Sequence, residues 1–248
     1  MCSRYACRVI KNIKVTESPQ WLKDKMSLIG QKSINNVVDL ANYIMFDLGQ
    51  PLHAFDYDKL NGQKIEVRLA ENNEKILCLN KELNELSNDD IVISDSKGPI
   101  AIAGVIGGFD SQVDDKTSTI LLESAVFNEI SIRKTSKKYD YTKEASKRFE
   151  RGVDYNNVIY VMDKFTRFLI DIAGGEASGD FIDVKAKKYN TKKIKFNVKN
   201  CNKFLGISLD SNEYKNIFSK LSINIDANSQ CVIPSYRNDL EREIDLCE

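Results

Sequence analysis

The sequence predicts an α+β protein in two parts: a sheet-rich first unit flanked by helices, then a small unit of two helices and a hairpin. Three observations carry this reading. Between positions 65 and 122, short β-like runs (IEVRLA, KILCL, IVISD, IAIAGVIGG, STILLES) alternate with clusters of Asn, Asp, Gly and Lys, the punctuation of strands and turns. On either side, apolar residues recur every three or four positions, the period of helices with one buried face. The stretch 185–193 (KAKKYNTKK) is basic, polar and without apolar period, and reads as the boundary between a unit of residues 1–188 and one of residues 189–248.

Element by element, residues 5–15 (YACRVIKNIKV) alternate apolar and basic side chains and read as a strand. Ser18 and Pro19 then suit an N-cap and first helical position, for a helix carrying Trp21, Leu22, Met26 and Ile29 and ending at Gly30. A second helix is expected over residues 37–48, with Val37, Leu40, Ile44 and Leu48 on one face and Gly49 as its stop. Pro51 cannot continue it, so residues 50–56 (QPLHAFD) become an extended piece or turn. The sheet region follows, with a turn at Lys97-Gly98-Pro99. Helical period returns over residues 131–138, over 143–151 with Gly152 as C-cap, and over 156–173 with Gly174-Gly175 beyond. The second unit holds a strand (IKFNV), helices over about 200–205 and 211–221, and a hairpin over 223–233. The chain stops at Leu246-Cys247-Glu248 within what reads as the start of another helix, the look of a cut end.

Composition narrows the function classes. The 36 basic and 36 acidic residues balance, so this is no dedicated nucleic-acid binder with a basic excess, and any RNA contact uses a local patch. No apolar run approaches the roughly 20 residues that span a bilayer. Positions 1–10 carry Arg4 and Arg8 and no apolar stretch, so no signal peptide is read. The six cysteines form no C-x-x-C pair, which argues against a zinc site and a disulfide framework and for reduced thiols in a cytoplasmic protein. His53 is the one histidine, and thus the one side chain whose ordinary titration lies near neutral pH.

Several ordered stretches carry a resemblance: CSRYACRVI at 2–10, INNVVDLANYIMFDLGQPLHAFD at 34–56, AIAGVIGG at 101–108, LLESAVF at 121–127, KEASKRFERGVD at 143–154 and IPSYRNDLEREIDLCE at 233–248. Together they resemble the β subunit of bacterial phenylalanyl-tRNA synthetases, the first unit its B3/B4 editing domain and the second, winged-helix-like, the front of its B5 domain. The resemblance implies an (αβ)2 heterotetramer that charges tRNA(Phe), using ATP and magnesium at an aminoacylation site on the α subunit. No cofactor is implied for this chain, and its expected partners are the α subunit and the acceptor end of tRNA(Phe).

Such an enzyme gains from a second site. An apolar pocket shaped for phenylalanine rejects an added hydroxyl by only about a hundredfold. A hydrolytic pocket holding a group that must pair with that hydroxyl destroys tyrosyl-tRNA and spares phenylalanyl-tRNA, because phenylalanine leaves the group buried and unpaired, at about 1–3 kcal/mol. By resemblance, Glu123 of LLESA is that group; a carboxylate accepts a charge-assisted bond from a phenol. Gly104, Gly107 and Ala145 are implied in the pocket wall, where small residues leave room for a ring. His53 and Asn42 are implied beside the ester, the imidazole orienting water or a ribose hydroxyl and the amide holding the amino group or carbonyl. There is no Ser-His-Asp set and no metal-ligand spacing, so the chemistry rests on positioning an activated ester and a water.

The chain departs from the common family pattern at Ala41, where Thr is frequent, at Lys143, also commonly Thr, and at Phe109-Asp110 after the glycine pair. These departures keep a second function open: a structural, tRNA-contacting module with editing weakened or lost. Arg133, Lys134, Lys137 and Lys138, with Lys143, Lys147 and Arg151, recur at helical steps, as a solvated face or as a contact for phosphates near the acceptor end.

Overall fold

The computed structural model describes all residues except Ala227, which falls within the hairpin expected over 223–233. The chain forms two compact units, Met1–Lys187 and Lys188–Glu248. In the first, the elements run β1 (Cys2–Lys11), α1 (Gln20–Leu28), α2 (Asn36–Leu48), β2 (Leu52–Asp56), β3 (Glu66–Leu69), β4 (Lys75–Leu77), β5 (Leu83–Glu85), β6 (Ile91–Ser94), β7 (Pro99–Ile102), β8 (Ile106–Gly107), β9 (Ile120–Phe127), α3 (Glu129–Lys138), α4 (Glu144–Phe149), α5 (Val158–Ala173), β10 (Glu176–Ala177) and β11 (Ile182–Val184).

An antiparallel sheet organises this unit. β1 lies between β9 and the short strands β10 and β11, and β9 lies between β1 and β2. A second sheet, in the order β3-β6-β7-β8, and the β4–β5 hairpin come from the stretch that joins β2 to β9.

Alternation along the strands gives the central sheet two different faces. On one, Ala6, Ile10, Ile120 and Leu122 meet Leu22, Met26, Leu40, Ile44, Phe165 and Leu169 of the helices α1, α2 and α5, with Ser124 donating to the Val158 carbonyl at 3.0 Å. On the other, Tyr5, Cys7, Leu121, Ala125 and Phe55 join Ile91, Ile93 and Ile102 of the second sheet and Cys78 of the β4–β5 hairpin in one apolar cluster. Each such aliphatic side chain, fully buried, contributes about 1.5–3 kcal/mol.

Polar side chains tie the layers where backbone pairing stops. Asp39, fully buried on α2, accepts from the Ser18 and Ser33 hydroxyls, each at 2.5 Å, and from the Ile34 N–H at 2.8 Å. Arg4 forks onto Asp183 with two 2.9 Å bonds and donates to the Tyr155 carbonyl at 2.6 Å, fastening β11 and the segment before α5 to β1. Asp90 accepts from Thr135, Lys138 and Tyr139, which seats α3 on the second sheet. Burial alone would raise its carboxyl, but the Lys138, Tyr139, Ser87 and Thr135 donors hold it below the ordinary range.

Several expectations shift in detail. The first strand begins at Cys2 and ends at Lys11, because Asn12 turns the chain with φ 58°. Pro19, not Ser18, occupies the cap of α1; the Ser18 hydroxyl is spent on Asp39. Leu22 and Met26 of α1 are buried, while Trp21 and, just past the helix end, Ile29 are exposed. Residues 52–56, expected as an extended piece or turn, form a full strand beside β9. The run 100–108, expected as one strand, folds back on itself as β7 and β8. The weakly patterned β5, β10 and β11 lie outside the expected strands.

The second unit comprises β12 (Lys193–Lys195), α6 (Val198–Leu205), α7 (Ser211–Lys220), β13 (Asn224–Ile225), β14 (Gln230–Val232) and α8 (Glu243–Cys247). Its strands pair in the order β12-β14-β13. Its core centres on Phe196, edge-on to Tyr214 at 5.0 Å and to Phe218 at 4.9 Å, with Cys201 and Cys231 fully buried beside them. Asp210 and Glu213 close a reciprocal cap at the start of α7. Among the described residues no helix is long and apolar enough to cross a membrane.

Candidate functional site

The face of the central sheet that meets the second sheet holds one row of polar side chains. In register across three strands stand Cys7 on β1, Glu123 on β9 and His53 on β2. Directly opposed residues of antiparallel strands share a face, with Cβ atoms about 4.5–5.5 Å apart, so strand pairing alone brings the expected acid and the expected imidazole together. Nothing in their separation along the chain, with the whole second sheet between them, foretells this.

Glu123 is 5% exposed and accepts from the Tyr5 hydroxyl at 2.7 Å. Burial pushes its carboxyl up to about 7, against which the Tyr5 bond acts. The Tyr5 phenol, buried and beside that carboxylate, is raised well above its ordinary range and stays protonated. His53 is half-buried, and the burial of its imidazole lowers its pKa to about 4, so it is neutral at pH 7. A neutral imidazole has one donor and one acceptor nitrogen. Phe55, two residues on, holds the ring edge-on at 4.4 Å between centroids.

Gly107 closes over His53. A Cβ added there would stand 2.7 Å from Cε1 and 3.0 Å from Nε2 of the imidazole, and 3.1 Å from Cδ1 of Leu79. β8 is held in that position by its pairing with β7 and by the Leu79 N–H, which donates to the Gly107 carbonyl at 3.0 Å. The half-exposed Leu79 gives the site an apolar lip.

The two glycines have different roles. Gly104 sits in the turn joining β7 to β8, with φ +67° and the Val105 N–H bonded to the Ile102 carbonyl at 3.0 Å. A Cβ there would press on Phe149 at 2.9 Å, Ile132 at 3.1 Å and Phe127 at 3.2 Å. Gly104 thus faces packed side chains rather than His53, and the turn itself accounts for the glycine.

Ala145 lies on α4, half-buried against the same apolar cluster, one helical turn before Phe149. Asn42 is half-buried on α2, and its amide makes no hydrogen bond to a described residue, His53 and Glu123 included. One turn on, the Phe46 ring lies under the Arg148 guanidinium at 4.6 Å, which turns the Asn42–Phe46 edge of α2 toward α4.

The departures from the family pattern have plain surroundings. Ala41 is buried in the helix-side cluster, where a methyl fits without an unpaired hydroxyl. Lys143 is exposed at the start of α4, and the Ser146 hydroxyl accepts from its backbone N–H at 2.9 Å. Of the basic residues, Arg133, Lys134, Lys137, Lys143 and Arg151 are exposed and make no ion pair among the described residues. Lys138 is instead bound to Asp90, and Lys147 and Arg148 to Glu144.

Sequence reasoning missed Tyr5 and Leu79. Tyr5 could have been found from alternation along β1, which places it on one face with Cys7; Leu79 carries no signal, since only the fold of the second sheet brings it to Gly107.

Two family models and several known proteins match the chain. The B3/4 domain family matches residues 1–174, and the tRNA synthetase B5 domain family matches residues 194–248. The phenylalanine–tRNA ligase beta subunit of Protochlamydia amoebophila is 43% identical over 251 residues, spanning 100% of this chain and 31% of that protein. Its counterpart in Carboxydothermus hydrogenoformans is 41% identical over 251 residues, spanning 100% and 32%. The chain therefore spans about a third of the length of the relatives it matches. Among solved structures, an N-terminal fragment of the phenylalanyl-tRNA synthetase beta-subunit from Pyrococcus horikoshii aligns with a TM-score of 0.47 at 15% identity, over 98% of this chain and 68% of that one.

Proposed function

The chain belongs to the B3/4-domain family in the form carried by phenylalanyl-tRNA synthetase β subunits, and from that premise we propose that its first unit hydrolyses tyrosyl-tRNA(Phe). The observation that carries the reading is the cross-strand pair of a buried carboxylate, Glu123, and a neutral imidazole, His53, beneath a glycine wall. The acid reads the substrate side chain and the imidazole serves the ester.

In this mechanism the tyrosine ring enters beside Gly107 and Ala145, and its phenol donates to Glu123. The unpartnered Asn42 amide holds the amino group or the carbonyl of the bound aminoacyl ester. Neutral His53 accepts a hydrogen bond from the attacking water or from the free ribose hydroxyl and orients it. Water adds to the ester carbon, the bond to the ribose oxygen breaks, and the proton passes to that oxygen, releasing tyrosine and intact tRNA. Phenylalanine leaves Glu123 without the added donor and is bound less well. The rate comes mainly from holding an activated ester and a water in place.

Within the whole enzyme we assign residues 1–188 to the editing domain and 189–248 to the B5 domain, with the α subunit and the tRNA(Phe) acceptor end as partners in a cytoplasmic (αβ)2 assembly. The exposed cations Arg133, Lys134 and Lys137 on α3, with Lys143 and Arg151, are assigned to phosphates of the incoming strand. ATP and magnesium belong to aminoacylation on the α subunit. Among the described residues no group of three or more His, Cys, Asp or Glu is placed to hold a metal ion.

The test is release of tyrosine from pre-charged tyrosyl-tRNA(Phe) by the complete synthetase, against the same enzyme carrying His53→Ala. Tyrosine release that depends on His53 upholds the reading. No release, with tRNA binding intact, establishes the alternative of a structural, tRNA-contacting module.

A further inference from the structure

We infer that Tyr5 is a positioning residue for Glu123: its hydroxyl occupies Oε2 and so presents Oε1 as the acceptor for an incoming phenol. The inference rests on the editing reading above and extends it to a residue on a different strand.

The geometry is specific. Tyr5 stands two residues from Cys7, the cross-strand partner of Glu123, so its ring reaches diagonally along the same face. Its hydroxyl meets Oε2 at 2.7 Å, and both side chains are buried. Tyr5 supplies the one hydrogen bond to the Glu123 side chain among the described residues, leaving Oε1 without a protein donor. A carboxylate held at one oxygen has lost its rotamer freedom before the substrate arrives, which is the benefit of preorganisation.

The surroundings show why the charge needs this bond. The titratable groups around Glu123 are Tyr5, Cys7 and Cys2 on β1 and His53 on β2. Burial first, and the nearby carboxylate second, push Cys7 up to about 11 and Cys2 to about 12, so both thiols are neutral at pH 7. His53 is neutral as well. Among the described residues no cation offsets the burial of Glu123; the Tyr5 hydroxyl alone favours its ionised form. A phenol donor on the chain thus readies the site for a phenol donor on the substrate.

The test is Tyr5→Phe in the complete synthetase, with tyrosyl- and phenylalanyl-tRNA(Phe) hydrolysis followed from about pH 6 to 9 and corrected for uncatalysed loss. Without the hydroxyl, the inflection for tyrosyl-tRNA should move to higher pH. The rate at pH 7 should fall about tenfold and recover as pH rises, while phenylalanyl-tRNA hydrolysis holds, so discrimination narrows. Fluorotyrosine at position 5 keeps the ring and strengthens the donor, and should move the inflection the other way even if the Phe variant folds poorly. An unshifted inflection with both substrates slowed equally makes Tyr5 merely structural and overturns the inference. Faster tyrosyl-tRNA hydrolysis in Tyr5→Phe overturns it too, since Tyr5 would then compete with the substrate. A wild-type enzyme that releases no tyrosine sinks the editing reading itself, and this inference with it.

Discussion

Replacing Gly107 by Ala adds a single methyl group at the point where the second sheet touches the imidazole. That Cβ would lie 2.7 Å from His53 Cε1, a shortfall of about 0.7 Å against the 3.4 Å at which ordinary contact begins. The strand cannot retreat easily, because Gly107 is paired with Ala101 and its carbonyl is held by Leu79. The imidazole must move instead, and Phe55, edge-on at 4.4 Å, limits its escape. Overpacking of this kind costs about 1–3 kcal/mol, so the protein should stay folded with a modestly lower unfolding midpoint. Displacing a catalytic group by about 1 Å costs about a hundredfold, so tyrosyl-tRNA hydrolysis should fall between tenfold and about a hundredfold. Single-turnover deacylation by the complete synthetase measures this, with phenylalanine charging as the control for intact assembly. The same substitution in a His53→Ala background should add almost nothing, since the effect passes through the ring. Hydrolysis within about twofold of wild type, in a folded Gly107→Ala protein, would refute the assignment of His53 to the ester.

Three further outcomes are expected. Glu123→Ala should slow tyrosyl-tRNA hydrolysis about ten- to a hundredfold and narrow its margin over phenylalanyl-tRNA, with Glu123→Gln intermediate; equal slowing of both substrates would remove the specificity role. Stability should respond to pH at both ends of the row. Glu123, raised to about 7, contributes stability that is present below the ordinary carboxyl range and lost as pH rises through about 7, whereas the His53 contribution is present above about 6.5 and lost as pH falls through about 4. Urea unfolding across that range should therefore show Glu123→Gln flattening the neutral side of the curve and His53→Leu the acid side. Charge reversal at Lys134 and Lys137 should weaken tRNA binding and lower the slope of log K against log salt by about one for each phosphate no longer neutralised, with hydrolysis at saturating tRNA unchanged.

The helices were legible because their signals are local. Gly49 and Gly174 end α2 and α5 where the sequence expects, and the apolar period of residues 158–173 matches the buried face of α5. The candidate site residues come from family resemblance alone, and their arrangement has no signal in the sequence. Glu123 reads as an ordinary strand-end acid until β9 is paired with both β1 and β2, since the pairing that sets His53 opposite it is nonlocal. The 100–108 run misleads for a related reason: its unbroken apolar character fits one buried strand, and only Gly104 at positive φ marks the reversal. Ser18 shows a local rule overridden by a tertiary demand, its hydroxyl drawn from the helix cap to Asp39. The weak strands β10 and β11 owe their conformation to the edge of β1 and have little pattern of their own.

The second sheet enters and leaves the central one at residues that are themselves paired, Asp56 against Ile120. In evolutionary terms, that makes residues 57–119 an insert whose two ends are already closed by the host. Its turns can change length at small entropic expense, since closure of a flexible loop depends only logarithmically on length. β9 has no such latitude. One residue inserted directly after Ile120 would turn Glu123 toward the helices and Leu122 toward the imidazole, inverting both faces at once. Indels in natural variants should therefore gather in the insert and spare β9, and a graft that exchanges the insert between relatives should change the wall over His53 while leaving the acid and the imidazole in register.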